Sequence, residues 1–225
     1  MEENAGRSGG AVLLGNLPET MRRARRGCTS SVRAAILRLR SRLGGAAERG
    51  AVAVEAALVT PFILLIFFGI IEYGMLFKDW LAATSSVRAG ARIASAEPRV
   101  TTFAQDAADQ SAREGAALDF STLQKFWVYK SDAAGFPVGG NGSFSDCTVC
   151  VKFTWNATSK KLVPASDTWS STTQNACQGD ANHDRIGVYM ALGHPSITGL
   201  LFSSITIKEH TVMNLEPMSS TTGCK

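Results

Sequence analysis

One stretch limits this chain more than any other. Residues 51–77 read AVAVEAALVTPFILLIFFGIIEYGMLF. Sixteen consecutive residues, 56–71, carry no charge, and the extension to both ends takes in only Glu55 and Glu72. A hydrocarbon core of ~30 Å takes about 20 helical residues, so the segment is long enough to cross a bilayer once. Lipid offers no hydrogen bonds to a backbone, so such a segment must be a helix. Pro61 removes one donor from it and is a candidate kink. A soluble core helix is a poor alternative, because residues 62–71 are apolar all round rather than along one stripe. A cleaved secretory signal is another poor fit. Its charged region would be 50 residues long, and Leu81-Ala82-Ala83 is a weak small-residue cleavage site.

Charge and cysteine both change at this segment. Residues 1–50 hold ten Arg and four acids, whereas residues 78–225 hold thirteen Lys or Arg and thirteen Asp or Glu. Arg33, Arg38, Arg40, Arg42 and Arg49 precede the helix, which places the amino terminus in the cytoplasm by the positive-inside rule. Tyr73 and Trp80 suit the outer interface, where aromatic rings sit at headgroup level. Cys28 lies on the cytoplasmic side. Cys147, Cys150, Cys177 and Cys224 lie on the other, an even set suited to an oxidising exterior. Four cysteines allow three pairings. The expected arrangement joins the 147/150 region to Cys177, stapling a long polar loop, with Cys224 taking the remaining thiol.

Four regions follow. Residues 1–50 form a cytoplasmic basic leader, residues 51–77 the transmembrane helix, residues 78–117 an extracytoplasmic helical extension, and residues 118–225 a β-rich domain. In the leader, residues 1–30 read as disordered. Residues 31–43 place Val32, Ile36, Leu39 and Leu43 on one face of a basic amphipathic helix that would lie on the inner membrane surface. Nucleic acid is a rejected partner for these arginines, since no aromatic residues interleave them. Beyond the membrane, the helix continues to Pro98, and a second Ala-rich helix covers 102–117. Strands are expected at 123–129, 149–155, 161–164, 185–192 and 205–215, with a hairpin turn at 156–160. The fold class is α+β, a long N-terminal helix followed by a small antiparallel sheet.

Few residues have the look of a chemical site. Cys147-Thr148-Val149-Cys150 has CxxC spacing, but no βαβ pattern surrounds it and no second close pair completes a zinc site. Structural disulfides are the better reading. Asp180-Ala181-Asn182-His183-Asp184 resembles half a calcium loop, yet Arg185 and Ala191 stand where that loop needs Gly and Glu. No Ser-His-Asp order can be assembled, and no GxxxxGK[ST] loop is present. No cofactor, metal ion or catalytic residue is expected.

The junction Arg49-Gly50-Ala51-Val52-Ala53-Val54-Glu55 resembles the processing site of type IV pilins and pseudopilins. The longer stretch through Ala56-Ala57-Leu58-Val59-Thr60-Pro61 is similar to the TadE-like family of tight-adherence (Flp-type) pilus-assembly proteins. Glu72-Tyr73-Gly74, the Ala-rich Ser86-Val87-Arg88-Ala89-Gly90-Ala91-Arg92 and the late Glu216-Pro217 extend the likeness. Ala56 stands where the small Flp-type pilins carry tyrosine. The resemblance implies a structural minor pilin or pseudopilin with a pilin-like β domain. It also implies cutting after Gly50 by a prepilin peptidase, which would leave Ala51 as the new amino terminus. Glu55 would pair with the α-amine of a neighbouring helix, because a buried charge is costly unless paired. With Pro61 it would take part in helix packing. The implied partners are the bilayer, other pilins and the assembly platform. Two alternatives stand beside this one: an uncleaved bitopic scaffold of a secretion complex, and a membrane-tethered enzyme.

Overall fold

The computed structural model describes residues 19–199, 202–219 and 223–224, with side chains from Gly50 onward. The chain divides into two units, meeting between Leu64 and Leu65. Its first helix, α1 (Glu19–Ala96), runs through that boundary. The disorder expected for residues 1–30 is therefore corrected over residues 19–30, which are helical; residues 1–18 lie outside the description. The segment ETMRRARR is made of strong helix formers, and extending an existing helix costs far less than nucleating a new one. The apolar face expected for 31–43 concerns side chains outside the described set.

In the first unit, residues 50–64 present an exposed helix with Val52, Val54, Leu58, Phe62 and Ile63 all facing outward. Thr60 turns its hydroxyl back to the carbonyl of Ala56 at 2.6 Å, so this polar group is satisfied by its own helix. Pro61 lies inside α1.

The second unit is α+β. After α1 come α2 (Phe103–Glu114) and five strands: β1 (Leu123–Ser131), β2 (Cys150–Asn156), β3 (Lys161–Asp167), β4 (Arg185–Pro195) and β5 (Ser204–Asn214). They form one sheet in the order β3-β2-β1-β4-β5, antiparallel at every step. Each expected strand is present, with ends shifted by a few residues. The helix ends at Ala96 rather than Pro98, since a residue before proline is pushed out of the helical region. Arg99 takes a positive φ of 63° and completes the turn into α2. Its amide donates to Gln174 Oε1 at 2.6 Å and its guanidinium to the Gln174 carbonyl at 2.8 Å.

Side-chain alternation splits the sheet into two faces. Phe126, Val128, Phe153, Val188, Met190 and Leu192 point to the helices and build the main core with Ala83, Val87, Ala91, Phe103 and Ala107. Trp127, Tyr129, Tyr189 and Ala191 point the other way. That second face is roofed by the 132–149 loop, whose Phe144 stacks on Tyr189 at 4.2 Å and 11°. Small residues set the helix spacing. A Cβ on Gly90 would come within 2.9 Å of the Ala107 carbonyl, so α1 and α2 touch backbone to backbone there.

The disulfides differ from the expected arrangement. Cys147 joins Cys150, and Cys177 joins Cys224. Cys150 opens β2 and is buried on the second face with Cys147, which leaves neither thiol free for Cys177. The C-terminal segment instead returns beside Cys177: the Ala176 amide donates to the Cys224 carbonyl at 3.0 Å, and Cys177 bridges Met218 in parallel. The long polar loop is thus stapled to the chain's end rather than to the CxxC pair.

Candidate membrane and assembly site

The residues read from the sequence lie on the exposed part of α1. Gly50, Ala51, Glu55 and Pro61 are all exposed, and Gly50 has open space around its Cα. Glu55 pairs with none of the described residues. A Glu side chain on an apolar helix surface is expensive in lipid, and the cost falls where a partner supplies the opposite charge. The described part of the chain does not cover this surface.

Further along the same helix the carboxylates behave in the opposite way. Glu72 is only 1% exposed. Its Oε1 accepts from the Ile197 amide at 2.9 Å, and its Oε2 accepts from the Thr198 amide at 3.3 Å and the Thr198 hydroxyl at 3.4 Å. Asp79, two helical turns on, accepts from His194 Nδ1 at 2.8 Å. Trp80 donates its indole N–H to Glu209 on β5. Tyr73 meets the ring of Phe202 edge-on at 6.3 Å. Three polar attachments and one aromatic contact therefore bind residues 72–80 of α1 to the β4–β5 hairpin. Between them lies a groove of about 720 Å³ walled by Tyr73, Leu76, Phe77 and Trp80 on the helix and Ile205 and Ile207 on the edge strand.

Sequence reasoning took Glu72 only as part of a family-like ending and did not give Asp79 or His194 a role. The available signal was spacing. Glu72 and Asp79 are seven residues apart, hence on one helix face, and a second carboxylate at a membrane segment calls for a partner. The partners themselves lie 115 to 126 residues downstream.

The His194–Asp79 pair has the geometry of a base and its orienting acid. His194 Nε2, however, is buried and meets no hydrogen-bonding group among the described residues. The pair ties the end of β4 to α1.

The remaining polar clusters are also committed to structure. In the 175–184 loop Asp180 accepts from the Asn182 amide at 2.9 Å and from Asn175 Nδ2 at 3.0 Å. Asp184, buried, pairs with Lys130 at 2.7 Å and accepts from the Asn175 amide at 3.0 Å. Those carboxylates fold the loop. On the second sheet face, burial together with the charge of Asp132 drives the Tyr129 hydroxyl well above its ordinary pKa, and that hydroxyl donates to the Gly135 carbonyl at 3.0 Å. At the rim, the hydrogen bond from Lys152 holds the Asp146 carboxyl below its usual range. Lys125 and Lys152 both lie over the Trp127 ring, at 4.7 and 5.4 Å.

Gly50–Ala96 is long and apolar enough to cross a membrane, and none of its most apolar window is buried within the chain. Neither curated proteins nor solved structures give a match. The family comparison does: residues 50–92, the stretch that carries the exposed Gly50–Glu55 junction, the apolar helix and the carboxylates of Glu72 and Asp79, match the family described as TadE-like protein, which bears out the resemblance seen in the sequence.

Proposed function

We propose that this chain is a membrane-anchored structural protein, a minor pilin or pseudopilin acting in tight-adherence pilus assembly or an associated secretion step. The supporting observation is the exposed apolar helix carrying an unmatched Glu55 five residues after Gly50, inside the family-matching segment. In this reading residues 1–50 stay in the cytoplasm and the sheet domain lies outside it. A prepilin peptidase cuts after Gly50. The new α-amine of Ala51 carries a positive charge at the membrane edge, and Glu55 of a neighbouring helix neutralises it. That pairing fixes the axial register of helices packed side by side, because a mismatched register leaves both charges unpaired in lipid. Neighbouring pilins and the assembly platform are then the partners of the exposed helix. The sheet domain caps or primes the growing filament.

Mass spectrometry of the protein from its native membrane is the direct test. A mature chain beginning at Ala51 is the expected result, with Gly50→Leu leaving the 50-residue leader attached. Glu55→Ala should still be cut, yet be lost from assembled filaments. Retention of the leader in the native chain would instead favour an uncleaved bitopic scaffold.

A further inference from the structure

The tip of the β4–β5 hairpin presents an unusual combination. Ile197, a large apolar side chain in the β4–β5 connection, is 61% exposed. The backbone amides of residues 196–199 are nevertheless each satisfied from within. The Ser196 amide donates to the Ser203 carbonyl at 3.1 Å, Ile197 and Thr198 donate to Glu72, and Gly199 donates to Ser196 Oγ at 2.8 Å. A loop in water has no need of a buried carboxylate for this, because solvent serves exposed amides at no cost. A loop in an apolar layer does, since each unpaired N–H there costs several kcal/mol.

The level of the tip on the helix agrees. The chain reaches the height of Asp79 at His194 in β4 and the height of Glu72 at Ile197, just beyond the strand. Seven residues at ~1.5 Å each make a descent of about 10 Å along α1. With Phe77 as the outer end of the span, Glu72 lies about 7 Å inside it. That is the depth, ~5–10 Å, at which apolar faces of interfacial elements rest in a bilayer. The helix beside the tip continues with the exposed apolar residues Leu65, Ile66, Phe67 and Ile70, so the tip adjoins the apolar surface that the span turns outward.

We infer that the β4–β5 hairpin is a second membrane-contacting element, and that its tip inserts Ile197 into the outer interfacial layer of the bilayer. The Glu72 carboxylate accepts from the tip's backbone amides, so they enter the apolar layer already hydrogen-bonded. The sheet domain is thereby held against the lipid surface, clamped to the span by His194–Asp79 and Trp80–Glu209, rather than carried clear of it. The inference rests on the reading of α1 as the bilayer span.

Spin labels report the local medium directly. Full-length protein with Cys28→Ser would carry one label at Ile66→Cys, Ile197→Cys or Thr158→Cys, the last on the exposed β2–β3 turn. Each would be reconstituted into vesicles of phosphatidylethanolamine and phosphatidylglycerol, with the disulfides left oxidised. Collision with oxygen reports lipid, and collision with a water-soluble nickel chelate reports water. The label at 197 should be several-fold less accessible to nickel than the one at 158, and more accessible to oxygen. Equal nickel access at 197 and 158, with the label at 66 in lipid, overturns the insertion while leaving the span intact. An aqueous label at 66 overturns the span and the insertion together. Protection of 197 from both reagents would put protein against the tip and overturn the lipid assignment.

Discussion

Glu55 and Glu72 are the same residue type on the same helix, and their surroundings give them different work. Glu55 is exposed and pairs with none of the described residues; Glu72 is consumed by two amides and a hydroxyl of the hairpin tip. Glu72→Ala should leave those amides without an acceptor, at about 1–3 kcal/mol for each one that stays buried. The expected outcome is a lower unfolding midpoint in detergent and faster hydrogen exchange at Ile197 and Thr198, with Glu72→Gln intermediate because it keeps one oxygen. Glu97 offers a test in pH. Burial first, and then the neighbouring charge of Asp106, raise its carboxyl pKa above 4.5. Between that ordinary value and the raised one the folded state holds more protons than the unfolded, so stability falls as pH increases through the window. Its Oε2 also meets no partner among the described residues. Glu97→Gln should therefore remove this slope. The variant should melt at or above wild type at neutral pH and show no gain below pH 4.5, as followed by circular dichroism across a pH series.

The elements were legible in proportion to how local their signals are. The strands were legible as β-rich runs between polar turns and loops, and Asn156, whose side chain accepts from the Thr158 and Ser159 amides at 2.9 and 3.0 Å, marked the hairpin turn. The Ala-rich stretches of α1 and α2 were legible, but not that the two meet. Gly90 has Ser111 Oγ 2.1 Å and the Ala107 carbonyl 2.9 Å from where a Cβ would stand. Gly90→Ala should cost about 1–3 kcal/mol by overpacking. Ser111→Ala in the same chain should recover part of that loss, since the hydroxyl conflict goes and the backbone conflict stays. Thermal melts of the two single variants and the double variant measure the coupling. The reading of residues 19–30 as disordered failed for a related reason. Composition describes a segment in isolation, whereas a helix propagates across an indifferent segment from a stable neighbour.

At the scale of the molecule, the two disulfides close loops of very different length, 47 residues for Cys177–Cys224 and 3 for Cys147–Cys150. Chain entropy alone assigns them about 4 and about 1.5 kcal/mol. Replacing Cys177 and Cys224 by Ser should lower the unfolding midpoint markedly and open the segment after Pro217 to proteases. Replacing Cys147 and Cys150 should do much less. Non-reducing peptide mapping checks the pairing itself. What the sequence determined here is whatever depends on neighbours along the chain: an apolar helix of spanning length, the Gly50–Glu55 junction, and the order of helices and strands. These follow from hydrophobicity and from the helical and strand periods. Only the tertiary structure decided that Cys177 meets Cys224, that His194 meets Asp79, and that the hairpin tip descends the helix to Glu72. Such contacts join residues 47 to 126 positions apart, and what brings them together is the packing of the sheet on α1, to which no single segment carries the answer.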